Sequence, residues 1–254
     1  MDKLLGRGNR IIAHIRKLGV SKEYRDECRE FMCDGDKLLG EAVRCGARVL
    51  AVLTYPGARP PSAPDGVPVY TAARDVLKSV SPLQNPQDVV FTCAMPERPP
   101  VSRGNGARVI LEGVQDPGNV GSVIRTAAAF GISEVILTGR CADVYNPKTV
   151  RATMGAVFSQ SVTVMSFDEL SALVSGGLRI VGASPSDDSA DLRRTDLSSA
   201  AVAIGSEGRG LSADLLSLCA ERVKIPMLPG TQSLNASVAA AIIMWELARD
   251  SMRT

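Results

Sequence analysis

The chain has 254 residues, with 29 Lys and Arg against 27 Asp and Glu, a net charge of +2, one His and six Cys. Such a small charge does not by itself indicate a nucleic-acid-binding protein, and the single His14 argues against histidine acid–base catalysis or a histidine-based triad. The cysteines lie far apart without a C-x-x-C pair, so we predict neither a disulfide framework nor a metal site.

The first part of the chain, residues 1–95, is predicted to be a small α/β domain. No charged-then-apolar leader precedes it, and no apolar stretch in the chain reaches the roughly 18 to 20 residues that span a bilayer. We therefore expect a cytoplasmic protein. The pattern predicts helices over residues 9–18 and 24–45 and strands over 49–54, 67–71 and 89–95.

Residues 96–106 contain several prolines and glycines and are predicted to be a linker. In residues 107–254, apolar runs alternate with helical stretches, which predicts a parallel sheet covered by helices. The last segment, 235–249, is apolar on nearly every side, so it is either a deeply buried helix or one packed against another subunit.

Three separated segments in this second domain share one design. The segments at 116–125, 205–211 and 225–235 each follow an apolar run, turn sharply at Gly or Pro and end in a polar residue before a helical stretch. That arrangement is typical of ligand pockets in α/β folds. The glycine spacing at 205–210 is reversed relative to G-x-G-x-x-G and no P-loop lysine follows, so a dinucleotide-dependent oxidoreductase is a weak alternative.

Local structure offers a simpler role for several of these polar residues. Asn119, Ser233 and Asn235 stand before helical patterns, where each is expected to act as an N-cap. Glu207 fits either a surface turn or a crevice. Arg125 lies among apolar residues and needs a partner, which is either an internal carboxylate or an anionic ligand.

The motifs together resemble the SpoU/TrmH family of RNA ribose 2′-O-methyltransferases. The resemblance rests on residues 111–127 (LEGVQDPGNVGSVIRTA), 204–212 (IGSEGRGLS), 225–227 (IPM) with 233–239 (SLNASVA), and 151–156 (RATMGA), and more loosely on residues 15–18, 24–25 and 31–39. The chain departs from the family pattern at Asp34, Ser122 and Thr153, none of which is at a catalytic position.

The resemblance implies a small N-terminal α/β substrate-binding domain and a C-terminal Rossmann-like parallel-sheet domain with a trefoil knot, which no topology rule would have suggested. It also implies S-adenosylmethionine as cofactor and a homodimer formed through the C-terminal domain, with no metal. The residues that it makes catalytic are Arg125, Asn119, Glu207, Ser233 and Asn235. The residues that it assigns to the cofactor are Gly205, Gly210, Leu211, Ile225, Met227 and Leu234.

The expected reaction is in-line transfer of an activated methyl group to a ribose oxygen, for which positioning supplies much of the acceleration. Arginine is charged at neutral pH, so we expect Arg125 to hold a phosphate or stabilise the developing alkoxide. RNA contacts are expected at Arg16, Lys17, Lys37 and Arg151, although a structural ion pair is an equal alternative for Arg151. The expected substrate is large-subunit ribosomal RNA; the alternatives are transfer RNA or a non-catalytic RNA-binding module.

Overall fold

The protein is described by a computed structural model that covers residues 4–58, 63–97, 106–228, 230 and 233–249. The chain packs into two compact units, the first formed by Met1–Glu97 with Asp143–Ser159 and the second by Arg98–Ala142 with Gln160–Thr254. Most of the predicted linker at 96–106 lies outside the described residues.

The helices and strands follow one another in this order: α1 (Arg10–Val20), α2 (Lys22–Cys28), β1 (Glu30–Asp34), α3 (Asp36–Arg44), β2 (Val49–Thr54), β3 (Val69–Thr71), α4 (Arg74–Lys78), β4 (Val89–Ala94), β5 (Arg108–Glu112), α5 (Pro117–Ala129), β6 (Glu134–Thr138), α6 (Pro147–Ala152), β7 (Val162–Val164), α7 (Phe167–Ser175), β8 (Arg179–Ala183), β9 (Ala190–Asp191), β10 (Ala200–Gly205), α8 (Ala213–Leu218), β11 (Cys219–Lys224) and α9 (Ala236–Ala248). None of the described helices is both long and apolar enough to cross a membrane.

The first unit is a sheet in the order β1-β4-β2-β3, in which β4 is antiparallel to both of its neighbours and β3 is parallel to β2. Helix α1 turns Ile12, Ile15 and Leu18 inward against Met32 of β1 and Leu53 of β2. Their spacing of three residues puts them on one side of the helix, so the polar residues between them face water. The predicted strands at 49–54, 67–71 and 89–95 are confirmed as β2, β3 and β4.

The predicted helix over residues 24–45 is wrong, because β1 interrupts it. Arg29 closes α2 in the left-handed conformation, with φ of 56°, and Gly35 begins α3 with φ of 126°, so the backbone leaves the helical path at both ends of the strand. Between them, Phe31 and Cys33 are buried, and β1 pairs with β4 through Phe31 opposite Cys93. The paired residues are some 60 positions apart, so the apolar pattern around β1 alone does not indicate the pairing.

Residues 143–159 pack with the first unit, whereas the predicted boundaries assign them to the domain at 107–254. The buried Arg25 guanidinium contacts Asp143 with an N–O distance of 2.6 Å and donates to the Leu18 carbonyl at 2.6 Å. Phe31 stacks on Tyr145 with ring centroids 4.7 Å apart. Because a buried charge needs a partner, the Arg25–Asp143 pair fixes where this segment returns to the first unit.

The second unit is the predicted parallel sheet, with strand order β7-β6-β5-β10-β8-β11-β9 and every pair of neighbours parallel. Val109, Ile110 and Leu111 of the interior strand β5 are all fully buried, so both faces of the sheet are covered. Helices α7 and α8 contribute Leu170 and Leu215 to the core on one face. Helices α5 and α9 pack side by side and against β6 and β10.

Candidate functional site

The site begins at the carboxyl ends of β5 and β10, which are neighbours in exact register. Gly205 at the end of β10 lies opposite Glu112 at the end of β5, so the loops that follow the two strands leave the same edge of the sheet. In sequence, β5 is followed by β6 on one side of the sheet, whereas β10 is followed by β11 on the other side. The strand order therefore reverses between β5 and β10. Ligands bind at such points in open parallel sheets.

A pocket of about 380 Å³, here called the apolar pocket, opens beside the loop after β10. Its wall consists of that loop, the segment after β11 and the first turns of α9. The six residues predicted to bind the cofactor all line it: Gly205, Gly210, Leu211, Ile225, Met227 and Leu234. Ala183, Val223, Ala239 and Ile243 add further apolar surface. A small concave volume with mostly apolar walls suits one small organic ligand.

The loop at 205–211 folds back on itself so closely that Gly205 has no room for a side chain. The Gly210 amide donates to the Ser206 carbonyl at 2.9 Å, and a Cβ atom on Gly205 would lie 2.0 Å from the Gly210 carbonyl carbon and 2.4 Å from the Leu211 nitrogen. Atoms without a bond between them cannot approach that closely. Gly205 is therefore required by the shape of the pocket wall.

Three of the predicted catalytic residues form one hydrogen-bonded chain, here called the polar chain. The Asn235 side-chain amide nitrogen donates to the side-chain oxygen of Asn119 at 3.2 Å, and the Asn119 side-chain nitrogen donates to the Glu207 carboxylate. Glu207 lines the apolar pocket. The bonds join residues 88 and 116 positions apart, so the three predicted segments meet at the rim of the pocket.

The expected cap at Asn119 is wrong. Helix α5 begins at Pro117, and Asp116 is its N-cap, accepting from the Asn119 backbone amide at 2.8 Å. Asn119 is thus in the first turn, and its side chain is free to bond to Glu207 and Asn235. The expected cap at Asn235 is confirmed, since its side-chain oxygen accepts from the Ser237 and Val238 amides of α9. Ser233 does not cap α9 and lines the apolar pocket.

Arg125 does not lie in the pocket wall. It is on the exposed side of α5, two turns beyond the polar chain, and has no ion pair or side-chain hydrogen bond to any residue that the structure describes. Of the two partners expected for it, the internal carboxylate is therefore absent from the described part of the chain. Because Arg125 is exposed, water can solvate its charge, so the expectation that it needs a protein partner is wrong.

The basic residues expected to contact RNA belong to the first unit. Arg16 bonds to the Ser79 hydroxyl at 3.1 Å, the Lys17 ammonium lies 3.9 Å from the centroid of the Tyr24 ring, and Lys37 is exposed on α3. Arg151 pairs with Asp34 at 3.2 Å. The structural ion pair considered for Arg151 therefore exists, and the RNA contacts of all four residues stay predictions.

Glu112 and Ser212 are site residues that the sequence motifs left without a role. The Glu112 carboxylate accepts from the Ser212 amide at 2.7 Å and from its hydroxyl at 2.5 Å, while Ser212 caps α8. These bonds fix the far end of the loop after β10. The sequence signal for Glu112 is a charged residue at the end of an apolar run, because such a residue is expected where a buried strand reaches the carboxyl edge of the sheet.

The cysteines near this edge are neutral thiols. Burial raises the pKa of Cys141, whose Sγ bonds to the Thr138 carbonyl at 3.2 Å, and burial raises the pKa of Cys219 to about 11. Since the thiolate is the nucleophilic form, neither is activated at neutral pH. All six cysteines are free, and the described residues contain no cluster of three or more His, Cys, Asp or Glu that could hold a metal.

Comparison with known proteins gives two family matches. The model described as "SpoU rRNA Methylase family" matches residues 106–245, and the model described as "MRM3-like substrate binding domain" matches residues 9–90. Together they cover both units, and the first spans more than half of the chain.

Similar proteins cover nearly the same length. The chain is 31% identical to the 23S rRNA (guanosine(2553)-2'-O)-methyltransferase RlmP of Bacillus subtilis over 97% of this chain and 99% of that protein. A structure described as a putative RNA methyltransferase of the TrmH family from Porphyromonas gingivalis superposes with a TM-score of 0.85 at 31% identity, covering 98% of this chain and all of that one. An AdoMet-bound rRNA methyltransferase from Sinorhizobium meliloti gives 0.85 at 29% identity over 100% and 99%.

Proposed function

Because the chain belongs to the SpoU rRNA methylase family, we propose that it transfers the methyl group of S-adenosylmethionine to a ribose 2′-hydroxyl in large-subunit ribosomal RNA. The observation that carries the proposal is the polar chain of Asn235, Asn119 and Glu207 at the rim of the apolar pocket. Helix capping accounts for one of these side chains only. A polar group aligned by three distant segments beside an apolar cavity has the form of a site that orients a substrate.

The apolar pocket has the chemistry that S-adenosylmethionine requires. Ile225, Leu234 and Leu211 give apolar surface for an adenine ring, and the backbone of the Gly205–Gly210 turn gives polar groups for the ribose and the amino-acid end. The volume of about 380 Å³ falls in the range of pockets for small organic ligands. We therefore assign the cofactor to this pocket. When bound, it supplies a methyl group already activated by the adjacent sulfonium charge.

The residues of the chain have two tasks in this reaction, to hold the ribose oxygen in line and to stabilise the negative charge left as its proton departs. Glu207, oriented by Asn119, lies at the pocket rim and can accept a hydrogen bond from a ribose hydroxyl. Ser233 offers a further hydroxyl from the same wall. Arg125 is exposed and has no carboxylate partner among the described residues, and we assign it to the RNA phosphate or the developing alkoxide.

The first unit is assigned to substrate binding. It carries the match to the MRM3-like substrate binding domain over residues 9–90, and Arg16, Lys17 and Lys37 are its proposed RNA contacts, with Arg151 as a fourth. The choice of ribosomal RNA rests on the B. subtilis relative, which is named as a 23S rRNA methyltransferase and matches along the whole chain.

Deletion of the gene is expected to remove a single 2′-O-methyl mark from large-subunit ribosomal RNA, and complementation is expected to restore it. The mark is measured by mapping 2′-O-methylation in ribosomal and transfer RNA from both strains. Loss of a mark in transfer RNA alone would replace the proposed substrate while keeping the activity. Unchanged marks in both RNAs would contradict the activity itself.

We further propose that the protein is a homodimer joined through α5 and α9. The two helices run parallel: their first turns are joined by Asn119 and Asn235, and their last turns by Phe130 and Trp245, whose ring centroids are 5.7 Å apart. Helix α9 exposes an apolar stripe at Val238, Ile242 and Trp245. Their spacing of four and three residues puts them on one side of the helix, where a second copy can cover them. The trefoil knot implied by the resemblance stays a prediction.

Glutamate at Val238 or Ile242 is expected to convert the dimer into a monomer, because each change would bury an unpaired charge in the proposed interface. Sedimentation velocity measures the assembly, and we expect dissociation to become at least about a hundredfold more favourable, the equivalent of roughly 2.7 kcal/mol. Val164→Glu is the control: Val164 is equally exposed, at 51%, on the edge strand β7. A wild-type monomer, or an I242E protein that still dimerises, would refute the proposed interface.

A further inference from the structure

A second cleft shares a wall with the apolar pocket and is not explained by the cofactor. This cleft, called here the arginine cleft, has a volume of about 500 Å³ and lies over the carboxyl ends of β5, β6 and β10. Residues 206–210 line both cavities. The rest of its wall comes from Glu112, Gly113, Gln115, Gly139, Arg140 and Ser212.

The arginine cleft is lined by two carboxylates and two guanidinium groups, and only the carboxylates have hydrogen-bond donors among the described residues. The Glu112 carboxylate is occupied by two bonds from Ser212, and the Glu207 carboxylate accepts from Asn119. Arg140 and Arg209 are both exposed, and neither makes an ion pair or side-chain hydrogen bond with any described residue. Two guanidinium groups that have no partner among the described residues therefore line one cavity next to the apolar pocket.

The floor of the cleft lets a ligand approach the backbone. Gly113 and Gly139 follow β5 and β6 directly and carry no side chains, and the Gly113 amide donates to the Thr138 carbonyl at 3.1 Å, so the two strand ends are in contact. A cleft with two glycines at the strand ends and two arginines that have no partner among the described residues can hold an RNA backbone through its phosphates.

Resting on the proposed function, we propose that the arginine cleft holds the RNA backbone beside the nucleotide to be methylated, with Arg140 and Arg209 binding the phosphates on either side of its ribose. Because residues 206–210 line both cavities, phosphates held in the arginine cleft would place the ribose at the rim of the apolar pocket, where it meets Glu207 and the methyl donor. Arg140 lines the arginine cleft alone, which separates its effect from cofactor binding.

Arg140→Ala and Arg209→Ala are each expected to raise the KM for RNA about tenfold, and the double variant about a hundredfold. Lost phosphate contacts also make the salt dependence shallower: the slope of log KM against log salt is expected to fall by about 0.7 for each arginine on single-stranded RNA. Arg140→Lys keeps a positive charge and is expected to recover most of that slope. If an arginine only stabilised the fold, its replacement would leave the slope of log KM against log salt unchanged.

The acceptor is ribosomal RNA stripped from cells that lack the gene, methylated in vitro with labelled S-adenosylmethionine at several salt concentrations. Arg194→Ala is the control, since Arg194 is an exposed arginine of the second unit that lines neither cavity.

Unchanged KM and slope in R140A and R209A beside an active wild type would overturn this assignment alone. A rise in the KM for S-adenosylmethionine without one for RNA would assign the cleft to the amino-acid end of the cofactor instead. A wild-type protein that binds the cofactor but methylates no RNA would overturn the proposed function, and this assignment with it.

Discussion

Replacement of Arg125 by alanine is expected to lower kcat for methyl transfer at least about a hundredfold and to leave the affinity for S-adenosylmethionine within about threefold. Loss of one preorganised group that stabilises developing charge costs roughly this much in other enzymes. The split follows from position, because Arg125 lies on the exposed side of α5 and outside the wall of the apolar pocket. A labelled-methyl assay at saturating RNA measures kcat, and calorimetry measures cofactor affinity.

Arg125→Lys separates charge from geometry. Lysine keeps a positive charge but not the planar fork that binds phosphate through two parallel hydrogen bonds, so we expect a kcat between those of wild type and R125A. Thermal unfolding of both variants should match wild type, since Arg125 has no partner among the described residues. Near-normal turnover by R125A would remove Arg125 from the reaction.

Replacement of Gly205 by alanine is expected to weaken cofactor binding more than about a hundredfold and to abolish turnover. The added methyl group would meet the Gly210 carbonyl carbon at 2.0 Å and the Leu211 nitrogen at 2.4 Å, and both are backbone atoms that cannot rotate away. The turn must therefore open, which displaces Glu207 from Asn119 and deforms the pocket wall. Calorimetry with S-adenosylmethionine measures the loss.

Gly208→Ala is the matched control, three residues along the same turn. A Cβ atom there would have no protein neighbour within 4 Å and the residue does not need a positive φ, so the turn keeps its shape and the loss of cofactor affinity should be at least about tenfold smaller than in G205A. Equal losses in G205A and G208A would mean that the turn tolerates no side chain at any position. Cofactor binding by G205A at wild-type affinity would contradict the assignment of the pocket.

The second unit was more predictable from sequence than the first. Its strands are buried on both faces and appear in the sequence as continuous apolar runs, so the alternation of apolar runs and helical stretches predicts the parallel sheet that is observed. In the first unit, the apolar residues Phe31 and Cys33 of β1 follow α2 almost directly, so the local pattern predicts that the helix continues through them. Its conformation depends on pairing with β4, and a local pattern does not contain that partner.

Residues 143–159 show the same limit at the level of domains. The composition predicts one boundary, the linker at 96–106, and so places this segment with the sheet that surrounds it in sequence. Its placement depends on Arg25 and Asp34, each of which lies more than 100 residues earlier and pairs with Asp143 or Arg151. A buried charge takes the partner that the fold brings to it, so charge pairing over such separations cannot be read from neighbouring residues.

The sequence by itself determined the class of fold, the family and the three segments that converge, because glycine turns, apolar runs and polar strand ends are local features with local physical causes. Only the tertiary structure decided what each polar residue bonds to. Asp116 caps α5, so the Asn119 side chain bonds to Glu207 and Asn235, and Arg140 and Arg209 line one cleft without an ion pair or side-chain hydrogen bond to any described residue. These outcomes follow from the register of β5 with β10, which brings distant loops to one edge of the sheet.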